Sequence, residues 1–494
     1  MPPRTSFVYL AVVLVAAVSL AASPSGEITL TTASDEARQL YLQAQDKADN
    51  LEYPAAAKLV EQAIAKDPSF AMAHLLKGQS SGGFTQFRES LERAVSLADK
   101  VSPGERHWIM AAKAQAEGNT AETKEHLAEL EKLFPGDKRV QVRLGRFERG
   151  VMSDERKAAV HFRKATQIDP AFAAAYNDLG YAQSAVGDYD AAEASFQKYI
   201  SLLPDRPNPY DSYAELLMKT GRFDESIAQY RKALEKDPTF VASLAGIGTN
   251  QVFKKEFAAA RETFEQQRAK SPDVNAQLAA MENIANSYVH EGKPAEAVRV
   301  LEEVSTRAAS AGQTPLAVNA QLDAAFILSE GGKAAEADAH IQRASKLLEQ
   351  GSLPESVKAR LETATTLGRA GVLAAQGQFD AATGEIAKAR PAIDRRQNPA
   401  EHRFLNDIQG SVALRQKRYA EALAFFEKGN TRNPWTVHQR ALAAEGLGQT
   451  GQAAELFAQV ADWNVNDLGY AVVRGEAIEK KEAAAVATSG KKLP

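Results

Sequence analysis

Four prolines of this chain, Pro170, Pro204, Pro238 and Pro272, are separated by a constant interval of 34 residues. Each one follows an amphipathic helical pattern and precedes another. A proline ends a helix because it lacks a backbone N–H and disfavours helix in the residue before it. A chain of 494 residues exceeds the roughly 250–300 residues at which a single core stops growing. The constant period therefore predicts stacked helical hairpins, each of which packs only on its neighbours.

Small and aromatic residues recur in register with these prolines. An alanine and an aromatic residue precede the proline at fixed distances, as in Ala158, Phe162 and Pro170 and again in Ala192, Phe196 and Pro204. In the first helix of a unit, a small residue such as Gly180 lets the second helix approach closely, and the aromatic side chain then fills the space between hairpins. Between the two helices, Gly187 and Gly221 stand where a positive φ turns the chain.

This pattern resembles the tetratricopeptide repeat (TPR), W-x2-L-G-x2-Y…A-x3-F…P, which has the same 34-residue period. The resemblance implies an all-α fold, namely a right-handed α-solenoid of about 12 TPR-like antiparallel helical hairpins. Helix-forming residues dominate the composition, aromatic residues make up only 7% of it, and long strand-like runs are scarce.

The repeats vary along the chain, and their spacing predicts its division. Upstream of the regular block the repeats match the pattern less completely. Downstream of it, the interval between equivalent alanines lengthens to as much as 45 residues. We predict a linker at 23–35, an N-terminal array at 36–274 with regular repeats at 139–272, a C-terminal array of longer repeats at 275–470, and a frayed, disordered tail at 471–494.

The first 22 residues have the pattern of a secretory signal peptide. Arg4 supplies a positive charge, residues 7–20 are almost continuously apolar, and Ala21 or Ala22 offers a cleavage site. An uncleaved anchor is the alternative, although about 14–16 residues are short for a span that needs roughly 20. We expect an exported protein of the periplasm or cell envelope, which contacts the membrane only through this segment if it stays uncleaved.

Composition and motifs argue against other classes of function. A net charge of −4 and a pI near 6.2 disfavour nucleic acid as a partner, and the absence of cysteine excludes disulfides and thiolate ligands. Gly331-Gly332-Lys333-Ala334 lacks the remaining residues of a P-loop, no Gly-x-Ser-x-Gly occurs, and no two histidines have metal-ligand spacing. We therefore predict no enzymatic activity, no cofactor, no metal site and no small-molecule substrate.

The resemblance also implies where a partner binds, because the first helix of each TPR hairpin lines the concave groove. In the regular block we predict that eight residues face this groove: Arg143, Phe147, Asn177, Tyr181, Asp211, Glu215, Lys219 and Thr249. The Lys/Asn/Arg clamp with which chaperone-binding TPR domains hold a C-terminal carboxylate is not reproduced, since Asn177 stands alone and Asp211 and Glu215 would repel a carboxylate.

The predicted function is that of a scaffold which binds a protein or peptide in its concave groove. Two alternatives stay open. A structural or assembly component of an envelope complex would pack on itself or on its neighbours, whereas a scaffold would stay monomeric until its partner is added. A hydrolase with its site between hairpins would show a cleft with convergent histidines and carboxylates of perturbed pKa.

Overall fold

A computed structural model of the chain describes residues 26–80 and 83–489. Over these residues the chain forms 25 α-helices and no strand. The first 24 helices pair as 12 antiparallel hairpins, and each helix packs on the ones before and after it in the sequence. The prediction of an all-α solenoid of helical hairpins is confirmed.

The first seven hairpins are built from helices of 10–15 residues. They are α1 (Asp35–Asp49), α2 (Tyr53–Lys66), α3 (Ala71–Ser80), α4 (Phe84–Leu97), α5 (Pro103–Ala116), α6 (Thr120–Leu133), α7 (Lys138–Phe147), α8 (Glu155–Ile168), α9 (Ala173–Ala185), α10 (Tyr189–Leu202), α11 (Pro207–Lys219), α12 (Phe223–Lys236), α13 (Ala242–Phe253) and α14 (Phe257–Lys270). A turn of π-helix, Glu148–Met152, extends α7.

After Pro272 the next seven helices lengthen to 17–21 residues, and shorter ones follow. They are α15 (Val274–His290), α16 (Pro294–Ser310), α17 (Thr314–Glu330), α18 (Ala334–Gln350), α19 (Glu355–Ala375), α20 (Phe379–Arg396), α21 (Pro399–Arg415), α22 (Tyr419–Phe426), α23 (Pro434–Gly446), α24 (Thr450–Ala461) and α25 (Leu468–Ser489). Helix α14 packs directly on α15, so the stack runs on through residues 271–275.

In several hairpins, a glycine in the first helix packs directly against an aromatic ring of the second. Gly180 of α9 lies so close to Phe196 of α10 that a methyl group on Gly180 would stand 2.8 Å from the ring. The same holds in the C-terminal array, where Gly410 faces Phe426 at 2.7 Å. Both rings are fully buried. The helices therefore approach to a distance that leaves no room for a side chain at the glycine.

The turns inside the hairpins use the left-handed backbone conformation. Gly187 and Gly221 have φ values of +86° and +78°, as their position between two helices predicts. Lys417 occupies the equivalent turn between α21 and α22 with a φ of +59°, a conformation that a side chain makes costly.

The solenoid curves until distant hairpins meet. Arg403 of α21 donates from Nη2 to the hydroxyl of Ser153, which follows α7, at 2.7 Å. Arg432, which precedes α23, pairs with Glu155 of α8 at 3.0 Å. The fourth hairpin thus touches the eleventh, and the concave face of the helices between them encloses an interior.

The last helix corrects the expectation of a disordered tail at 471–494. Helix α25 continues to Ser489, and its Tyr470, Val473 and Ala477 are buried. The Tyr470 ring lies 5.9 Å from that of His290 in α15. The prediction failed because this apolar stripe packs on a helix almost 200 residues away. Residues 490–494 lie outside the described residues, as does the predicted signal segment at 1–22.

The segment before α1 is an extended segment that hydrogen-bonds to the first hairpins, and it does not act as a free linker. The backbone N–H of Ile28 donates to Asp137 at 3.0 Å, and that of Thr31 donates to Glu105 at 2.8 Å. The N–H of Ala33 donates to Asp67 at 3.1 Å. One extended stretch thereby joins carboxylates of three successive hairpins.

None of the helices in the described part of the chain is both long and apolar enough to cross a membrane.

The close contact between Gly180 and Phe196 leads to a test of the packing. Gly180→Ala should destabilise the α9–α10 hairpin by about 1–3 kcal/mol, because the added methyl group overpacks the ring. The matched control is Gly384→Ala, since Gly384 lies inside α20 and a methyl group added there would have no neighbouring atom within 4 Å. That change should stabilise the helix by about 0.4–1 kcal/mol. Urea unfolding gives the sign, and hydrogen exchange locates the effect; equal midpoints for both variants would contradict this account of the packing.

Candidate partner-binding site

A cavity of about 300 Å³ opens on the concave face of the first hairpins, and we call it the basic cavity. Its walls come from the first helices α1, α3, α5 and α7, which are the helices that line the groove of a solenoid. Aromatic side chains form much of the wall, namely Tyr41, Tyr53, Trp108, Phe147 and Phe172. The arrangement provides large, rigid contact surfaces of the kind that dominate binding energy.

Three arginines of α7 face this cavity with helical spacing. The Nε of Arg139 lies 2.9 Å from the Asp49 carboxylate, and Arg146 lies 2.9 Å from Asp178. Arg143 stands between them and has no carboxylate within ion-pairing distance among the described residues. The cavity thus contains three cationic groups and only two anionic partners for them within the described part of the chain.

The Arg143 side chain is held by packing and is not satisfied by hydrogen bonds. Its guanidinium carbon lies 4.9 Å from the centre of the Trp108 ring, which is a cation–π contact. Its Nε and Nη2 atoms are buried without a hydrogen-bond partner among the residues that the structure describes. Burial, together with repulsion from Arg146, lowers the pKa of Arg143 to about 10. The group is still charged at neutral pH, and an anion in the cavity would supply the missing hydrogen bonds.

Three of the other predicted groove residues form a separate cluster around α11. The Tyr181 ring packs edge-on against Phe196, with 5.2 Å between ring centres, and its hydroxyl lies beside Glu215. The hydroxyl of Ser243 donates to Asp211 at 2.6 Å. These side chains are already in contact with protein groups, and Asp211 is buried. The cluster is therefore a largely buried acidic region.

The remaining predicted residues lie along the groove without converging. Lys219 donates from Nζ to the Ser184 carbonyl at 3.1 Å. Asn177 is partly exposed, and its Oδ1 has no partner within the described residues. Thr249 differs from the prediction that it faces the groove. It is only 3% exposed, and its hydroxyl donates to the Ala245 carbonyl of its own helix at 2.9 Å. It therefore does not line an open groove.

The chain's own C-terminus occupies the middle of the groove. The side-chain amide of Asn464 donates to the Lys219 carbonyl at 3.4 Å. The Arg474 guanidinium lies 5.0 Å from the centre of the Phe253 ring in α13, and Tyr470 packs on His290 in α15. The regular block from α11 to α15 is covered in this way, whereas the basic cavity beside α7 is open.

The sequence prediction missed Tyr41, Trp108, Arg139 and Arg146; the first two lie upstream of the regular repeats at 139–272, in which the groove positions were predicted. One signal was available for the arginines. Positions 139, 143 and 146 have i, i+4 and i+7 spacing, which places three positive charges on one face of α7. The carboxylate partners were not visible, since Asp49 lies 90 residues from Arg139.

A second cavity, of about 450 Å³, lies on the inner face of the C-terminal array between α17, α19, α21 and the start of α25. We call it the acidic cavity because the carboxylates of Asp323, Glu330, Asp407 and Asp467 line it. Burial is the main cause that raises the pKa of both Asp323 and Asp407 to about 7. Across residues 26–80 and 83–489, no three histidines or carboxylates are grouped so that they could hold a metal ion.

The acidic cluster on α11 predicts a measurable pH dependence. Burial and the neighbouring Glu215 raise the pKa of Asp211 to about 7, compared with about 3.9 in an unfolded chain. Between these values the folded chain keeps a proton that the unfolded chain has lost. The stability contributed by this proton is complete below about pH 4 and is lost as the pH rises through 7.

Asp211→Asn should therefore stabilise the chain more at pH 8 than at pH 5, because the amide stays neutral at both pH values and its oxygen can still accept from Ser243. The gain should reach a few kcal/mol, since one pKa unit corresponds to about 1.4 kcal/mol. Urea unfolding at both pH values measures the difference from wild type. Asp190→Asn, at an exposed site on α10, is the control and should change neither value. A gain of the same size at pH 5 would contradict the assignment.

Three sequence models of the tetratricopeptide repeat match the chain, at residues 41–81, 161–194 and 207–240. Tetratricopeptide repeat protein 13 from Homo sapiens is 27% identical over 152 residues, which cover 30% of this chain and 17% of that protein. The chain therefore aligns with less than a fifth of the human protein.

Parts of the chain are also similar to solved structures of low identity. A tetratricopeptide repeat protein from Parabacteroides merdae is 14% identical, and the alignment covers 62% of this chain and 98% of that one with a TM-score of 0.32. PilW, described as a widely conserved type IV pilus biogenesis factor, is 16% identical over 50% of this chain and 98% of its own, with a TM-score of 0.30. The repeat matches, together with the 12 stacked hairpins, show that the chain contains tetratricopeptide repeats.

Proposed function

We propose that this chain is a non-enzymatic scaffold that binds an extended, acidic segment of a partner protein in the basic cavity. The observation that carries the proposal is Arg143, a buried guanidinium in an open cavity, two of whose nitrogens have no partner among the described residues. A buried charge without a partner costs free energy, and a carboxylate from a ligand would offset that cost.

The charge balance around the cavity favours a carboxylate over other ligands. Arg139 and Arg146 each have a protein carboxylate, so a ligand anion would not have to displace either of them to reach Arg143. The guanidinium of Arg143 lies over the Trp108 ring, and a planar guanidinium edge matches a carboxylate in shape. The aromatic wall would take the apolar side chains that flank the acidic residue.

The N-terminal segment of the chain supports an extended ligand. Residues 28–33 already lie as an extended segment next to this cavity. Their backbone N–H groups donate to the carboxylates of Asp137, Glu105 and Asp67. Tyr41, Trp108 and Arg139 line both the basic cavity and the smaller cleft beside Ile28. This face of the first hairpins already holds one extended segment, which supports the binding of an extended partner segment beside it.

The α11 cluster would limit the ligand in one direction. Asp211 and Glu215 place two carboxylates further along the groove, and they would repel an acidic segment that continued past α9. Beyond them, the groove is occupied by the chain's own residues 464–477. We expect the bound segment to end near α9 and to extend towards α1.

A peptide display screen against the immobilised full-length protein tests the proposal. Random peptides that bind should be enriched in Asp or Glu next to aromatic or aliphatic residues. Arg143→Gln should weaken their binding at least tenfold, because one charged hydrogen bond contributes about 1.5–3 kcal/mol. Fluorescence anisotropy with a selected peptide measures the change.

The matched control for this test is Arg156→Gln, which removes an exposed arginine from the neighbouring helix α8. It should leave the peptide affinity within about twofold, since a surface charge at that distance is screened by salt. The melting temperatures of both variants show whether the fold is intact. Selection of no peptide, or selection that Arg143→Gln leaves unaffected, would refute the basic cavity as the binding site.

We further propose that the scaffold acts outside the cytoplasm, in the periplasm or cell envelope. The support is the sequence pattern of residues 1–22, with Arg4, the apolar run at 7–20 and the small residues Ala21 and Ala22. The protein isolated from a bacterial periplasmic extract should begin at residue 22 or 23 in N-terminal sequencing. A chain that keeps residues 1–22 and stays in the cytoplasmic fraction would overturn this part of the proposal.

A further inference from the structure

The acidic cavity contains a carboxylate that the rest of the described chain leaves without a partner. Asp323 of α17 forms no hydrogen bond or ion pair with the residues that the structure describes, and it lies deep on the inner face where it lines the cavity. Two carboxylates act on it electrostatically and raise its pKa, namely Glu282 of α15 and Asp467, which precedes α25. Both have the same sign as Asp323, so the protein provides repulsion where an ion pair would be expected.

The other carboxylates of the cavity have partners within the protein. Glu330 accepts from Arg415 at 2.7 Å and from the Trp435 indole N–H at 3.1 Å. Asp407 accepts from the backbone N–H of Asn430 at 3.1 Å and lies near Arg403.

Asp467 is also engaged, because it accepts from the backbone N–H of Tyr470 at 3.0 Å and thereby caps α25. Within the described part of the chain, Asp323 is consequently the one carboxylate of this lining whose charge is free for a ligand. No lysine or arginine is among the described residues that line the cavity.

The walls beside Asp323 are apolar and aromatic. Phe326 and Trp435 meet edge to face, with 5.8 Å between ring centres, and Leu322 and Ile341 continue the surface. Phe404 lines the same cavity and is 42% exposed, which is high for a large apolar side chain. Aromatic rings next to an unpaired carboxylate favour an organic cation, because the ring faces attract positive charge and also cover an apolar body.

We propose that the acidic cavity is a second binding site, which takes an organic cation with an ammonium or guanidinium group on an apolar body. The cationic head pairs with Asp323, and the body packs on Phe326, Trp435 and Phe404. A metal ion fits less well, because the described residues offer no group of three metal ligands and an apolar wall cannot replace the water around an ion. This site is separate from the basic cavity and does not depend on the function proposed for it.

The state of Asp323 determines how binding should respond to pH. Burial and the nearby carboxylates raise its pKa to about 7, so a large fraction of the group is protonated at neutral pH. A cation binds the ionised form, and it must therefore displace the proton. Asp407, with a pKa of about 7, ionises over the same range and adds to the attraction; burial also raises the pKa of Glu282. Affinity for a cation should increase as the pH rises from 6 to 8.

Isothermal titration calorimetry on the full-length protein tests the site with three probes. Phenethylammonium represents a free amine, the blocked dipeptide acetyl-Phe-Lys-amide represents a lysine within a polypeptide, and 2-phenylethanol is the neutral analogue. We expect saturable binding of at least one cationic probe, at least tenfold tighter than 2-phenylethanol and tighter at pH 8 than at pH 6. Whichever cation binds more tightly identifies the source of the ligand.

Asp323→Asn should weaken binding of the cationic probe at least tenfold without affecting 2-phenylethanol. The variant should fold, because removing an unpaired buried charge relieves repulsion, and circular dichroism verifies this. Asp380→Asn, which removes an exposed carboxylate at the start of α20, is the matched control and should leave the affinity within twofold. Failure of both cations to bind the wild-type protein, or equal affinity in the folded Asp323→Asn variant, would overturn the proposal.

Discussion

The close contact between a small residue in one helix and an aromatic ring in the next is the interaction on which this structure depends. Gly180 against Phe196, and Gly410 against Phe426, bring the two helices of a hairpin together without space for another side chain. Because successive hairpins stack in sequence order, the small rotation at each step accumulates along the chain. After seven further hairpins it brings Arg403 to Ser153, and the solenoid becomes a curved array that encloses its own inner face.

Enclosure of the inner face creates the unusual electrostatics of this protein. Side chains that would be solvated on a flat array are instead surrounded by protein, and their charges are stabilised only where a partner is near. Arg139 and Arg146 have such partners, whereas Arg143 and Asp323 have none among the described residues. The unpaired groups have opposite signs and lie in two separate cavities, one lined mainly by α1, α3, α5 and α7 and the other by α17, α19, α21 and the start of α25. A long scaffold can thus offer two chemically different sites.

The sequence predicted the fold well and the candidate site only in part. Regular spacing made the hairpins and the role of Phe196 visible, because packing between neighbouring helices is local in sequence. Arg143 and Phe147 were placed on the groove by the same register, and both line the basic cavity. Thr249 was placed there as well, yet it is buried, since the register of a helix specifies a direction and not the depth of the neighbouring helix. Tyr41 and Trp108 were missed because they lie upstream of the regular repeats in which the groove positions were predicted.

The sequence by itself determined that this chain is an all-α stack of about 12 hairpins, because the 34-residue period, the small residues and the helix-ending prolines act over a few tens of residues. Only the tertiary structure decided which parts of the groove are open. Three contacts join residues that lie 70 to nearly 200 positions apart. They are the pairing of Asp49 with Arg139, the hydrogen bond from Thr31 to Glu105, and the burial of α25 against α15. Such contacts arise from the accumulated curvature of the whole stack, and no local pattern encodes them.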